Sequence, residues 1–173
     1  MKNHLFTLLL SFCSALSFSQ AEKIKISWPE EYKWKVLSDQ EDKGVHMTEL
    51  IPENESGEKW TIIGTTMSIK GAQNVPTDTM MNLMFDQTKA NAPKAKLTEI
   101  EKGVKDSHPW IIFKIESPRF NNDKNPESQL YFIIQGTQSL YSNFVGVKKK
   151  ELSADFVEKW SAVFKASEIV TSN

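Results

Sequence analysis

The feature that most constrains the fold is a pair of segments that are apolar on both sides of an extended chain. Residues 109–117 read PWIIFKIES and residues 128–138 read SQLYFIIQGTQ, and both are rich in side chains that favour strands. The expected inward residues are Ile111, Phe113 and Ile115, with Leu130, Phe132 and Ile134; the opposite faces carry Trp110, Ile112, Tyr131 and Ile133. Because sheets that are apolar on both faces are usually covered on both faces, this pair predicts a sheet between further layers.

Alternating and β-branched patterns predict more strands along the chain. They are expected at residues 23–28, 33–38, 44–51, 59–69, 95–104 and 139–150. Between two of them lies the acidic stretch ENESGEKW. Its polar residues and its glycine predict a hairpin loop at residues 53–58, which delivers Trp60 at the start of the next strand.

The period changes to that of a helix in residues 75–93. The residues near one face of this helix are Met80, Leu83, Met84, Gln87 and Thr88. Thr77 or Asp78 is expected to accept from the free amides of the first turn, and Pro93 to stop the helix.

The last element is an amphipathic helix within residues 151–170. Its apolar stripe consists of Phe156, Val157, Trp160, Val163 and Phe164, and Ser153 is expected to be its N-cap. The fold class that follows is α+β, an antiparallel sheet of six or seven strands with helices packed on it. No linker divides the chain, which predicts a single globular domain at residues 22–173.

The first 21 residues predict a secretory signal peptide, with an early cation, a short apolar run and small residues at its end. Cleavage is expected after Ala21, with Gln20 as the alternative. Cys13 lies inside the apolar run, and Phe12 occupies a position where a lipoprotein signal needs a small residue. We therefore expect an exported protein, periplasmic or extracellular, with no lipid anchor and no transmembrane segment in the mature chain.

Charge and composition argue against several classes of partner. Without Lys2, the mature chain has 20 Lys+Arg and 22 Asp+Glu, a net charge of −2. Nucleic-acid-binding proteins usually show a basic face, so nucleic acid is not expected as a partner. Arg119 is the only arginine, which argues against a dedicated phosphate clamp, and Lys148–Lys150 are expected to be solvated.

No motif predicts a catalytic centre, a cofactor or a strong metal site. The mature chain holds two histidines, His46 and His108, and no cysteine. The loops at residues 39–44 and 121–126 do not match a calcium-binding EF-hand. A looser calcium contact at Glu53, Glu55 and Glu58 is a weak alternative, because flexible loops can gather carboxylates.

Three methionines of the first helix form a second weak metal candidate. Met80, Met81 and Met84 lie three or four residues apart, and thioethers are ligands for Cu(I). An amphipathic helix also needs flexible apolar side chains to fill its core. The second explanation is favoured.

The stretch ISWPEEYKWKV resembles an element of the Mog1/PsbP-like superfamily, in which a strand ends at an aromatic–proline pair and a tryptophan follows. The resemblance depends on Trp28, Pro29, Trp34, Trp60 and Trp160. It also covers the order of the elements through most of the mature chain. It implies an α/β/α sandwich used for binding and assembly more than for catalysis, and it supplies no catalytic residues.

These patterns favour an exported, non-catalytic binding or accessory protein, with a protein or small ligand of the cell envelope as its partner. The expected contact surface is the loop with Glu53, Glu55, Glu58 and Trp60, since aromatic residues often dominate interfaces. The alternatives are a small envelope hydrolase that uses His46 or His108 with nearby carboxylates, and a methionine-based Cu(I) carrier.

Overall fold

A seven-stranded antiparallel sheet forms the centre of the molecule, and a two-stranded ribbon accompanies it. The computed structural model describes residues 21–172. The strands are β1 (Ala21–Lys25), β2 (Trp34–Asp42), β3 (Val45–Pro52), β4 (Ile62–Lys70), β5 (Lys96–Lys105), β6 (His108–Ser117), β7 (Glu127–Gln135), β8 (Ser139–Val147) and β9 (Glu168–Ser172). The helices are α1 (Thr77–Asn91) and α2 (Ala154–Lys165), with a short 3-10 helix at Glu30–Tyr32. The main sheet has the order β2-β3-β4-β8-β7-β6-β5, which confirms the α+β class.

The two helices cover opposite faces of the main sheet, as the doubly apolar strands require. On one face, α1 packs its buried Met80 and Met81 against alternate residues of β6 and β7, including Ile111 and Ile133. On the other face, α2 packs Trp160 and Phe164 against the intervening residues of the same strands. The result is a three-layer arrangement of helix, sheet and helix.

The pairing of the faces predicted for β6 and β7 is wrong. Ile111 pairs with Ile133 and Phe113 with Tyr131, so the first strand's Ile111, Phe113 and Ile115 share the α1 face with Tyr131 and Ile133. The predicted partners, Leu130, Phe132 and Ile134, lie on the α2 face with Trp110 and Ile112. Each strand's own alternation is correct. Its phase relative to the neighbouring strand depends on the register, and a shift of one residue exchanges the faces.

The ends of the described chain form the two-stranded ribbon. The last helix was predicted within residues 151–170, but α2 ends at Lys165 and the chain turns into β9. This strand pairs antiparallel with β1, with Ile24 opposite Ile169. The first predicted strand is therefore real, although it starts at Ala21 and belongs to the ribbon instead of the main sheet.

The two helices begin differently. The Ser153 side chain accepts a hydrogen bond from the Phe156 amide at the start of α2, which confirms the predicted N-cap. In α1 the N-cap position is occupied by Pro76, which offers no side-chain hydrogen bond. The predicted capping by Thr77 or Asp78 is wrong. Asp78 lies in the first turn and pairs instead with Lys102, 3.2 Å away.

An aromatic cluster on the α2 face joins residues that follow β1 and begin β2 to the helix α2. The rings of Trp28 and Trp160 lie 5.8 Å apart, and those of Trp28 and Trp34 lie 5.6 Å apart. Gly64 in β4 lets the Trp28 ring approach, since a Cβ at this glycine would lie 2.6 Å from the ring. Trp28, Trp34 and Trp160 are three of the five residues on which the family resemblance depends.

Neither helix among residues 21–172 is both long enough and apolar enough to cross a membrane. The signal peptide predicted for residues 1–21 lies outside the described residues, except for Ala21, which is the first residue of β1.

Candidate functional site

The main candidate site is a surface pocket of about 540 Å³ beside the carboxyl-terminal half of α1. We call it the α1 pocket. It is lined by Met84, Gln87, Thr88, Asn91, Phe120, Asn121, Asn122, Asp123, Glu127, Gln129 and Tyr131. Its volume lies in the range of pockets that hold small molecules. Three separate segments contribute to it: the helix, the loop between β6 and β7, and the first half of β7.

The helical wall is polar because the apolar stripe of α1 does not continue to its end. Met80 and Met81 are buried under the first half of the helix. Two and three turns further on, Gln87, Thr88 and Asn91 replace the apolar side chains and face the pocket. The helix thus packs with its first half and presents hydrogen-bonding groups with its second.

The loop at residues 118–126 is fixed to the end of α1. The Asn121 amide donates to the Asn91 carbonyl at 2.8 Å, and its side chain donates to the Ala90 carbonyl at 3.2 Å. Asn121 therefore satisfies carbonyls that a helix end leaves free. A turn closed by the Phe120 amide and the Asp123 carbonyl, 2.9 Å apart, places the Phe120 ring in the pocket wall.

The strand wall is a row of hydrogen-bonded side chains on alternate residues of β7. We call it the β7 row: Glu127, Gln129 and Tyr131. The Tyr131 hydroxyl donates to the Gln129 amide oxygen, and the Gln129 amide nitrogen donates to Glu127 at 2.7 Å. Residues two apart in a strand point to the same face, so the sequence of this strand alone places the three side chains in line.

Burial raises the pKa of the Tyr131 phenol well above its ordinary value, and the nearby negative charge of Glu127 raises it further. A hydrogen bond with Thr88 opposes this shift in part. The phenol therefore stays protonated at physiological pH and serves as a hydrogen-bonding group.

The far end of the β7 row reaches the loop that the sequence singled out. Lys148 donates to the second carboxylate oxygen of Glu127 at 3.0 Å. The same ammonium group lies over the Trp60 ring, 3.9 Å from its centroid. Trp60 is half-buried and belongs to the support of the pocket. Lys148, Lys149 and Lys150 are all exposed, as predicted for a solvated charge run, and Lys148 has these two partners as well.

The carboxylates of Glu53, Glu55 and Glu58, predicted as a contact surface, do not converge on a common point. Glu53 and Glu58 are exposed, and the Glu55 carboxylate accepts from the amide of Thr61 at 2.7 Å and from its hydroxyl. Glu55 therefore organises the hairpin loop itself. Among residues 21–172, no three His, Cys, Asp or Glu side chains form a group that could hold a metal ion.

The methionine candidates lie in the core beneath α1. Met80 and Met81 are buried with relative exposures of 5% and 8%, and Met84 packs against the same cluster at the margin of the α1 pocket. Their thioethers are surrounded by apolar side chains. This packing accounts for the methionines without a metal.

The two histidines occupy different settings. His46 is exposed on β3, with its Nε2 2.6 Å from Asp39, whose pKa is lowered by this hydrogen bond and by one from Thr48. His108 is half-buried at the start of β6, where its Nδ1 lies 2.9 Å from the Gln135 carbonyl oxygen. It lines a second pocket, of about 730 Å³, together with Asp106.

No model of a known protein family matches the sequence, and a sequence search finds no similar curated protein. The function must therefore be inferred from the side chains of this chain and their geometry.

Sequence reasoning missed most of the α1 pocket. Tyr131 was interpreted only as apolar filling, and residues 121–126 were tested only as a calcium loop. One signal was available: Gln87 and Thr88 stand on the face of α1 where apolar residues are expected. Polar residues on a helix face that the same pattern directs toward the core indicate a cavity or a wet surface.

Proposed function

We propose that the protein is an exported, non-catalytic binding or accessory protein of the cell envelope, and that it binds its ligand in the α1 pocket. The proposal for export is supported by the signal-peptide pattern of residues 1–21. The binding role is supported by the geometry of the pocket.

The observation that carries this proposal is the β7 row. Its three side chains are joined to one another and to Lys148 by hydrogen bonds, so their positions are set before a ligand arrives. Fixing polar groups in advance reduces the entropy lost when a ligand binds. A largely preformed pocket with a few oriented polar groups is typical of small-molecule sites.

The same groups are poorly suited to catalysis. Glu127 is held by Lys148 and Gln129, and burial moves the pKa of Tyr131 further above the working pH. A general base needs a pKa near the working pH and a proton to abstract. The lining of the α1 pocket contains no histidine, lysine or cysteine among the described residues, so recognition is the role that these side chains support.

The test is a binding screen of the exported protein against small molecules of the envelope, followed by ¹H–¹⁵N NMR. A binder is expected to shift the signals of Asn91, Gln129 and Tyr131. The diagnostic variant is Gln87→Ala, which removes an exposed amide from the pocket wall. Asn82→Ala is the matched control, because it removes an exposed amide from the same helix outside the pocket.

The proposal predicts that Gln87→Ala weakens binding roughly two- to tenfold, the range expected for one hydrogen bond. Asn82→Ala is expected to bind as the wild type does. Binders whose signals map elsewhere, or that are equally strong for both variants, would contradict the assignment of the pocket.

We further propose kinship with the Mog1/PsbP-like superfamily. Support comes from the sheet between two helices and from the cluster that joins Trp28, Trp34 and Trp160. The test is an alignment of homologous sequences. Free variation of the residues at positions 28, 29 and 34 would count against this kinship.

A hydrolase centred on His108 is the second candidate. If Nδ1 carries the proton that it donates to the Gln135 carbonyl, then Nε2 is left as an acceptor in the second pocket. Hydrolysis of p-nitrophenyl acetate provides the test. Loss of turnover in His108→Gln, but not in the matched surface variant His46→Gln, would favour the enzyme over the binding protein.

A further inference from the structure

We infer that the α1 pocket takes an uncharged, polyhydroxylated ligand of one or two rings, which is the chemistry of a neutral saccharide. This inference rests on the proposed binding function and adds the class of ligand to it.

The charges around the pocket disfavour an anion. Its lining includes the carboxylates of Asp123 and Glu127, and it contains no cationic side chain among the described residues. The carboxyl-terminal end of α1, which carries a partial negative charge, also lies at the pocket. A carboxylate or phosphate ligand would meet like charges and find no cation to pair with.

A cationic ligand gains little from these carboxylates. The Glu127 charge is already paired with Lys148 at 3.0 Å. Asp123 accepts from the Asn125 amide at 2.9 Å and is exposed, so water screens its attraction for an ammonium group. An uncharged ligand loses less hydration on entering, because burying a charge is far more costly than burying a hydrogen-bonded hydroxyl.

The hydrogen-bonding groups of the pocket match hydroxyl groups. Its polar lining is rich in side-chain amides, and those of Gln87 and Asn122 offer both donors and an acceptor. A hydroxyl likewise donates and accepts, so several adjacent hydroxyls can be satisfied by such a set. A ligand that only accepts or only donates would use half of these groups.

The apolar part of the lining suits the flat face of a sugar ring. Phe120 and Met84 stand with Tyr131 among the amides. The face of an aromatic ring is electron-rich, and the C–H groups on one side of a pyranose ring carry a small positive charge. A ligand with an apolar face and a hydroxylated rim therefore matches both parts of the pocket.

The test uses ligands that share a ring system and differ in charge. Three neutral disaccharides, cellobiose, maltose and laminaribiose, are titrated at millimolar concentrations and followed by ¹H–¹⁵N NMR. The β-1,4-linked disaccharide of glucosamine supplies the ammonium counterpart, and cellobiouronic acid supplies the carboxylate counterpart. We expect at least one neutral disaccharide to shift the signals of Asn91 and Gln129, the ammonium counterpart to bind no more tightly, and the carboxylate counterpart to give no shift.

A pair of aromatic variants checks the stacking surface. Phe120→Leu keeps an apolar side chain and removes the ring, and it is expected to weaken saccharide binding several-fold. Phe85→Leu is the matched control, since this ring lies on α1 outside the lining. Equal loss in both variants would indicate general damage to the helix and would remove Phe120 from the site.

The inference is overturned if none of the neutral disaccharides shifts the pocket signals, or if the ammonium or carboxylate counterpart binds more tightly than they do. A non-saccharide from the envelope screen that binds at Asn91 and Gln129 would also overturn it, while leaving the proposed function intact. If neither the screen nor the saccharides perturb the pocket, the proposed function falls as well.

Discussion

The two faces of the main sheet are covered by helices of similar length that do different things. On the α2 face, the helix contributes the buried aromatic rings of Trp160 and Phe164 to the core. On the α1 face, Met80 and Met81 are buried under the first half of the helix, and the α1 pocket lies beside its second half. The two faces thus differ in what the helix supplies: α2 adds large aromatic rings to the core, whereas the end of α1 holds polar groups in position.

The ends of the helices show the same contrast. The start of α2 is capped by Ser153, and its last carbonyl, that of Lys165, accepts from the Lys105 ammonium group 3.0 Å away. The start of α1 has no side-chain cap, and its end is held by Asn121 from the pocket loop. The last turn of α1 therefore depends on the same loop that forms the pocket.

The largest effect is expected from Trp160→Ala on the α2 face. Trp160 is completely buried and contacts five aromatic rings, those of Trp28, Tyr32, Trp34, Phe156 and Phe164. Removing a buried tryptophan side chain costs about 3–5 kcal/mol. Urea unfolding measures this loss. Met81→Ala on the α1 face is the counterpart, and a larger loss there would reverse the comparison between the two faces.

Gly64→Ala is expected to cost about 1–3 kcal/mol, the usual penalty for overpacking. The new methyl group would lie 2.6 Å from the Trp28 ring, so the ring must move. In a Trp28→Leu background the same change should cost less, because the obstructing ring is gone. Additive losses in the double variant would show that the two residues do not interact as described.

Alkaline pH is expected to weaken the fold through its buried phenols, by up to about 1.4 kcal/mol per pH unit for each. Burial raises the pKa of Tyr131 on the α1 face and of Tyr141 on the α2 face. Between the unfolded phenol's pKa near 10 and the raised folded value, only the unfolded chain loses the proton, so stability is present below that window and falls as the pH rises through it.

Tyr131→Phe and Tyr141→Phe should each make this decline shallower. Urea unfolding at a series of alkaline pH values measures the slope. An unchanged slope in both variants would contradict the burial of the two hydroxyls.

Ser153→Ala is expected to lower the free energy of unfolding by about 1 kcal/mol, the typical value for an N-cap. Thr79→Ala, an exposed change in the first turn of the uncapped α1, should have little effect. Thermal unfolding of the two variants compares the helix starts. If Thr79→Ala lowers the free energy of unfolding as much as Ser153→Ala does, the difference between the capped start of α2 and the uncapped start of α1 is contradicted.

The smallest effect on stability is expected from Lys148→Met, about 0.5 kcal/mol or less, because the ion pair with Glu127 is partly exposed. Its effect on the environment of Trp60 should be clear, since the ammonium group over the ring is lost. Tryptophan fluorescence detects this, with Lys149→Met as the matched control. Identical spectra for the two variants would contradict the contact between Lys148 and the Trp60 ring, and with it the link from Trp60 to the pocket.

The sequence reveals the parts of this fold that depend on one segment at a time. The alternation in β6 and β7 and the stripe of α2 predict elements that the structure contains. The way in which separate segments pair with one another is harder to predict from the sequence. The faces of β6 and β7 were paired wrongly because register is decided between strands, and β9 was missed because it needs β1, at the other end of the described chain.

The candidate site was the least accessible part for the same reason. Its lining comes from α1, from the loop after β6 and from β7, and no one of these segments carries a motif. Trp60 was identified from its local setting, but its role in the support of the pocket depends on Lys148 and Glu127, which lie far away in the sequence.

A crystal structure of the protein with the strongest binder from the envelope screen tests the division of roles between the two faces. We expect the compound between Phe120 and Gln129, in contact with the β7 row, and an unchanged aromatic cluster on the α2 face. A compound bound on the α2 face, with only water in the α1 pocket, would contradict the division of roles between the two faces.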